Sequence, residues 1–67
     1  MANLQLARNL RFLRKKNHLN QEDLANMLSI SRQAYCNYEN SSRTPDIENL
    51  VILAAHFHIS LDQLILH

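Results

Sequence analysis

Apolar residues recur at intervals of three and four along most of this chain, and that spacing places them on one face of an α-helix. In the first such segment Leu6, Leu10 and Leu13 follow the pattern beside Ala7. We therefore expect a compact all-α domain. The pattern and the polar residues that interrupt it predict five helices: about residues 3–16, 21–28 and 32–39, a fourth opened by Pro45 and Asp46, and a short one after Ser60.

The apolar stripes of these helices define a predicted core. In the third helix the stripe consists of Tyr35 and Tyr38, which we expect to pack in the core with their hydroxyls at its rim. The other stripes are Leu24, Ala25 and Leu28 in the second helix; Ile47, Leu50, Val51, Ala54 and Phe57 in the fourth; and Leu61, Leu64 and Ile65 in the last.

Polar residues mark the ends of the predicted helices. Asn20 precedes two acidic residues, which is typical of a helix start, since a capping amide satisfies free backbone N–H groups and the acids suit the helix dipole. Ser31 and Ser60 are expected to cap the third and the last helix. Because the chain has no glycine, we expect Asn17 to adopt the left-handed conformation that ends the first helix.

Composition narrows the function classes. With 67 residues the chain is expected to form one domain, over residues 1–67, with a small core. The absence of glycine excludes P-loop, dinucleotide-binding and nucleophile-elbow enzymes, which need glycine where the backbone turns sharply or approaches a ligand. The single cysteine cannot form an internal disulfide, which favours a reducing, cytoplasmic location. We expect a protein that is not an enzyme and needs no cofactor.

The charge is distributed unevenly along the chain. Residues 1–43 contain all seven basic residues and three acidic ones, a net charge of +4. Residues 44–67 contain three acidic residues and no lysine or arginine, a net charge of −3. A domain with one basic and one acidic half can orient itself on a polyanion such as nucleic acid. From charge alone, the alternative is an ordinary solvated surface.

Four segments at fixed mutual spacing carry a resemblance to a known family: NQEDLA at residues 20–25, LSISRQ at 28–33, YEN at 38–40 and RTP at 43–45. With LRFLR in the first helix and ISLDQL near the C-terminus, they resemble the lambda-repressor-like helix-turn-helix regulators, the XRE or Cro/repressor family. The resemblance covers about residues 6–66 and implies a helix-turn-helix at about residues 21–39. Ser29 and Ser41 stand where the family commonly has glycine, so we expect strain of about 1 kcal/mol at Ser29.

In this family the third helix enters the major groove of DNA, and its N-terminal residues contact base edges. Residue by residue, the resemblance assigns base reading to Arg32, Gln33 and Asn37, with Cys36 adjacent. Arginine can bond guanine O6 and N7 together, and glutamine or asparagine can bond adenine N6 and N7. Outside this motif the same residues would be ordinary solvated ones. Cys36 is either a redox-sensitive residue at the groove or a small filler residue.

The resemblance also implies a structural ion pair and a set of residues that contact DNA phosphates without reading the base sequence. We expect Arg14 and Glu39 to form a buried ion pair that ties the first helix to the end of the third, and Arg14 to serve this pair more than DNA. For Ser31, a role as helix cap competes with a phosphate contact through its hydroxyl. The implied phosphate-contacting residues are Gln21, Ser31, Asn40 and Arg43.

Four histidines raise the question of a metal site. His56 and His58 are two residues apart, so on a helix they would point to different sides. His18 is placed in the first loop, far from both in sequence. We therefore predict no metal site.

The resemblance implies a sequence-specific regulator of transcription that binds double-stranded DNA. We expect a dimeric repressor of bacterial or phage origin, associated with the nucleoid, that reads a palindromic operator and has neither a membrane partner nor an evident small-molecule ligand. The alternative is a protein-interaction module on the same scaffold, such as an antitoxin, which predicts an exposed apolar strip on the fourth and fifth helices. The candidate dimer interface lies in the acidic half: Phe57, Ile59, Ile65 and Leu66.

Overall fold

The computed structural model describes residues 4–66, and the described residues form helices without any strand. This confirms the predicted all-α, five-helix class. The predicted start of the first helix, residue 3, lies outside the described residues. The helices are α1 (Leu4–Lys16), α2 (Gln21–Leu28), α3 (Arg32–Glu39), α4 (Ile47–His56) and α5 (Leu61–Leu66).

The helices enclose one core. Helix α1 packs against both α3 and α5, α2 packs against α3, and α4 packs against α5. The centre of the core is fully buried and is formed by Leu10, Leu24, Ala25, Tyr35, Leu53 and Leu64. None of the helices within residues 4–66 is long and apolar enough to cross a bilayer. The packing leaves the outer side of α3 uncovered, and the candidate functional residues lie there.

The buried face of α4 differs from the predicted stripe. Leu50 and Ala54 are buried as expected, but Ile47 and Val51 are 62% and 49% exposed, while Leu53 is fully buried. The prediction was wrong at Ile47 and Val51 because residues 50–55 are all apolar, so that two overlapping stripes satisfy the three–four spacing. Packing into the shared core selects the stripe that contains Leu53.

The predicted capping residues begin their helices. The Asn20 side chain accepts a hydrogen bond from the Asp23 N–H at 2.8 Å, and the Asp23 carboxylate accepts one from the Asn20 N–H at 2.9 Å. The Ser31 hydroxyl oxygen accepts from the Ala34 N–H at 3.0 Å at the start of α3. Ser60 caps α5 in the same way as Asn20 caps α2, through a reciprocal pair of bonds with Gln63. These local bonds set where each helix starts.

Within residues 4–66, four residues other than glycine adopt left-handed backbone conformations, with φ between 57° and 68°: His18, Ser29, Ser41 and His58. Ser29 and Ser41 are the two positions where the resemblance led us to expect glycine. The expectation that Asn17 ends α1 in this conformation is wrong. The Asn17 N–H still bonds to the Leu13 carbonyl, and the reversal falls one residue later because Leu19 bonds back to the Arg14 carbonyl. Each such residue costs about 1–2 kcal/mol of backbone strain.

Candidate nucleic-acid interface

Helix α3 is held against α2 by a short, closely packed turn. Ser29 reverses the chain at φ 58°, and the Ile30 N–H bonds to the carbonyl of Ala25 at 3.0 Å. Ala25 is fully buried, and its small side chain allows the two helices to pack closely. The inner side of α3 is anchored by Tyr35, which is fully buried and packs edge-on against the ring of Tyr38 at a centroid distance of 6.0 Å.

The outer side of α3 carries the residues assigned to base reading. Arg32 and Gln33 are exposed, and Cys36 and Asn37 are half-buried. The Gln33 amide nitrogen donates a hydrogen bond to the Asn37 amide oxygen at 3.2 Å, so these two side chains act as one hydrogen-bonded group. The structure thus brings all four residues to one accessible helix whose opposite side is fixed in the core.

The residues assigned to phosphate contact surround α3 but differ in their present hydrogen bonds. The Gln21 amide nitrogen donates to a carboxylate oxygen of Glu39 at 3.3 Å. Ser31 uses its oxygen as a helix cap, and the Asn40 side-chain oxygen accepts from the Ser42 N–H at 3.0 Å. Arg43 is exposed and lines the same surface depression as Asn37, Ala34 and Tyr38.

A buried ion pair links α1 to the end of α3, as the resemblance implied. Arg14 donates from Nε and Nη2 to the two carboxylate oxygens of Glu39, at 2.6 and 3.1 Å, and from Nη1 to the Leu19 carbonyl at 3.1 Å. The Glu39 side chain is 1% exposed and that of Arg14 is 13% exposed. Three of the five N–H donors of the guanidinium are therefore used within the fold, and the bond to the carboxylate has the bidentate geometry that favours arginine.

The protonation equilibria of this cluster follow from burial and hydrogen bonding. Burial alone would raise the pKa of Glu39, but the hydrogen bonds that it accepts, with that of Arg14 the largest, hold the pKa below its ordinary value of 4.5. The hydrogen bond with Glu39 raises the pKa of Arg14 above its ordinary value. Both groups are therefore charged at neutral pH, and their charges are matched inside the fold.

The hydroxyl of Tyr35 does not lie at the rim of the core, contrary to expectation. It is fully buried, near the Arg14–Glu39 pair, and has no hydrogen bond of acceptable geometry within residues 4–66. Burial, and then the nearby Glu39 carboxylate, raise the pKa of Tyr35 well above its ordinary value of 10.0. The Tyr38 hydroxyl, in contrast, accepts a hydrogen bond from the Asn49 side chain at 3.3 Å.

Two arginines without a sequence assignment lie beside this cluster. Arg8 and Arg11 are exposed on α1 and line a cleft together with Glu39 and Asn40. The Arg11 Nε atom lies 3.9 Å from a carboxylate oxygen of Glu39. The sequence signal that could have identified them is the concentration of positive charge in α1, which contains five of the seven basic residues and no acidic one.

The candidate dimer residues differ in accessibility. Phe57, Ile59 and Ile65 are half-buried and pack against the core, whereas Leu66 is 65% exposed. A separate apolar strip, which we call the α4 strip, is formed by the exposed residues Ile47, Val51 and Ile52. Within residues 4–66, no three His, Cys, Asp or Glu residues are grouped so that they could hold a metal ion.

Comparison with known proteins identifies the family. A helix-turn-helix family profile matches residues 10–64. The uncharacterized HTH-type transcriptional regulator YobD of Bacillus subtilis (strain 168) is 39% identical over 56 residues, which are 84% of this chain and 50% of YobD. The chain spans about half the length of the curated relatives that it matches.

Solved structures support the same assignment. A transcriptional regulator from Listeria innocua superimposes with a TM-score of 0.91 at 35% identity, over 94% of this chain and 59% of that protein. The DNA-binding domain of the P22 C2 repressor gives a TM-score of 0.81 at 31% identity, over 96% of this chain and 84% of that domain. Proteins of this kind are regulators and not enzymes, in agreement with the expectation from composition. By sequence and by fold, the chain belongs to the lambda-repressor-like, XRE-type family of helix-turn-helix transcriptional regulators.

Proposed function

We propose that this chain acts as a homodimeric repressor that inserts α3 into the major groove of a palindromic DNA operator. The observation that carries the proposal is the outer side of α3, where Arg32, Gln33 and Asn37 are accessible while Tyr35 anchors the opposite side in the core. Side chains held on a rigid helix can meet base edges in fixed positions, as sequence reading requires.

The hydrogen bond between Gln33 and Asn37 suits adenine. Once Gln33 has donated to Asn37, the Gln33 oxygen remains as an acceptor and the Asn37 nitrogen remains as a donor. Adenine presents the complementary pair, an N6 donor and an N7 acceptor, in the major groove. Arg32, at the first turn of α3, is assigned to guanine, whose O6 and N7 both accept. Cys36 lies between these groups in sequence and fits as a contact that tolerates little added bulk.

Phosphate contacts by Gln21, Ser31, Asn40 and Arg43 would hold α3 in register. Gln21 is the first residue of α2, where the positive end of the helix dipole favours a phosphate, and its amide retains one N–H beyond the bond to Glu39. The Ser31 hydroxyl accepts the capping bond and keeps its own hydrogen for donation. Arg43 is exposed beside Asn37 and supplies a full positive charge.

The weak DNA binding expected of a single domain argues for a dimer. A single helix-turn-helix unit over residues 1–67, with net charge +1, would make few phosphate contacts and bind weakly at physiological salt. Two copies related by a two-fold axis would read half-sites about 34 Å apart. Leu66 is the exposed member of the candidate interface, and Phe57, Ile59 and Ile65 would contribute their remaining accessible surface. Such a repressor would work in the cytoplasm, on the nucleoid.

Selection of binding sites from a random duplex library tests this proposal. Wild-type protein should enrich a palindromic motif, and Arg32→Ala should lose preference at one symmetric pair of positions, with a cost of about 1–3 kcal/mol per base pair. Lys16→Ala is the matched control, since Lys16 lies on α1 with its ammonium over the ring of Phe12. It should select the same motif as wild type. An absence of any enriched sequence at low salt would refute DNA reading, and a motif without symmetry would refute the dimer.

The α4 strip favours a second candidate, a protein-interaction module. Ile47, Val51 and Ile52 expose apolar surface on α4, one of the two helices on which this alternative predicts an exposed strip. If this function holds, Val51→Glu should abolish regulation in cells, and the purified protein should enrich no DNA sequence. If the repressor proposal holds, Val51→Glu should select the same DNA motif as wild type.

A further inference from the structure

A cleft separates α1 from the C-terminal end of α3. It is bordered on α1 by Arg8 and Arg11 and on the other side by Glu39 and Asn40. Arg8 and Arg11 are three residues apart, so they project from the same side of α1. The cleft thus places two exposed cations next to the end of the helix that is proposed to read DNA.

We infer that Arg11, with Arg8 beside it, binds a DNA phosphate and extends the DNA-binding surface from the helix-turn-helix onto α1. This inference rests on the proposed function. The resemblance assigns DNA contacts only to residues within and after the helix-turn-helix, whereas these two arginines lie before it in the chain. Their contribution would be to affinity and orientation and not to the choice of sequence, because phosphates are the same at every base pair.

Glu39 is paired with Arg14 and does not form a hydrogen bond with Arg11. Arg14 already forms two hydrogen bonds with this carboxylate, at 2.6 and 3.1 Å. Arg11 is farther away, at 3.9 Å from Nε to Oε1, which is beyond hydrogen-bond distance, and its side chain is 56% exposed. All the N–H donors of the Arg11 guanidinium are therefore available to an anion that approaches from solvent.

Arg11 lies near residues that are proposed to contact DNA phosphates. The Gln21 amide nitrogen and the Arg11 Nε approach the same oxygen of Glu39, at 3.3 and 3.9 Å, so their separation cannot exceed the sum of these two distances. Gln21 begins α2 and is a proposed phosphate ligand, and Asn40, another such ligand, borders the same cleft. Arg11 therefore lies close to one proposed phosphate contact, Gln21, and borders the same cleft as another, Asn40.

The salt dependence of binding distinguishes a phosphate ligand from a residue that only supports Glu39. The affinities of wild type and variants for the selected operator and for an unrelated duplex would be measured between 50 and 200 mM salt. Arg11→Gln should weaken binding to both duplexes and reduce the slope of log K against log salt by about 1. Between 50 and 200 mM salt, the affinity of wild type should fall about 3.5-fold more than that of Arg11→Gln, because the loss of one phosphate contact changes the salt dependence by that factor.

Matched variants complete the experiment. Arg11→Lys should keep the wild-type slope, because the charge remains. Lys16→Gln removes the same charge from the same helix, but its ammonium lies 5.9 Å from the centre of the Phe12 ring, and Phe12 borders the α5 side of α1. It should also keep the wild-type slope. If Arg11→Gln does not fold, Arg8→Gln from the same cleft carries the test, with the same reduction in slope.

The outcomes separate the inference from the function on which it rests. A wild-type slope for a folded Arg11→Gln would overturn the inference, even if the affinity falls, while DNA binding by the wild type would still stand. A change in the selected motif upon Arg11→Gln would also overturn it, since a phosphate contact carries no sequence information. Wild-type protein that binds neither duplex at low salt would overturn both the inference and the proposed function.

Discussion

Removing the negative charge of Glu39 should destabilise the whole domain, because this buried carboxylate connects α1, α2 and α3. Glu39→Gln keeps the shape of the side chain but leaves the Arg14 cation beside a neutral amide. Removing one partner of a buried ion pair costs about 3–5 kcal/mol. Arg14 retains some access to water at 13% exposure, so we expect a loss near the lower limit of that range.

Thermal unfolding followed by circular dichroism measures this loss. A domain of this size is stable by about 3–10 kcal/mol in total, so the variant loses a large part of its free energy of unfolding. The Tm should fall by about 12–24 °C, because one kcal/mol corresponds to about 4–8 °C in small domains. Glu48→Gln is the matched control, an exposed carboxylate in the first turn of α4, and should shift the Tm by less than about 8 °C. A Glu39→Gln variant that melts as closely to wild type as this control would refute the reasoning.

The pH dependence of stability provides an independent check on the same pair. Since the pKa of Glu39 is lower in the folded chain than its ordinary value of 4.5, its stabilising effect is complete above that pH. It is lost as the pH falls below 4.5 and through the folded-state pKa. Urea unfolding should therefore show a large stability difference between wild type and Glu39→Gln at neutral pH that shrinks in acid. A difference that stays constant down to pH values well below 4.5 would contradict the assignment.

Two further predictions concern backbone strain and base reading. Ser29→Gly and Ser41→Gly should each raise the free energy of unfolding by about 0.5–1 kcal/mol, because relief of left-handed strain exceeds the entropy cost of glycine. Ser42→Gly is the control, because Ser42 is exposed, follows Ser41 and has no positive φ. This variant should not be more stable than wild type in the same denaturation assay. Equal effects at positions 41 and 42 would contradict the argument. In a double-mutant cycle on operator affinity, Gln33→Ala and Asn37→Ala should be non-additive by at least about 0.5 kcal/mol, because the two amides are hydrogen-bonded to each other. Additive losses would mean that they contact DNA independently.

Helix positions were predictable because the signals that set them are local. Asn20, Ser31 and Ser60 each begin a helix by accepting a hydrogen bond from a residue three positions later, and short-range spacing is visible in a sequence. The end of α1 was harder to predict from the sequence. Asn17 and His18 are adjacent polar residues, and only the bond from Leu19 to the Arg14 carbonyl places the left-handed residue at His18.

What the sequence alone determined is the all-α class, the boundaries of the helices and, through the family motif, the side of α3 proposed to meet DNA. The tertiary structure decided which face of α4 is buried, since the apolar run at residues 50–55 permits two stripes and only packing into the core selects Leu53. It also brought Arg11 of α1 next to Gln21 of α2 through their shared neighbour Glu39 on α3. Such a convergence depends on how helices distant in sequence pack together, and helical periodicity contains no information about that arrangement.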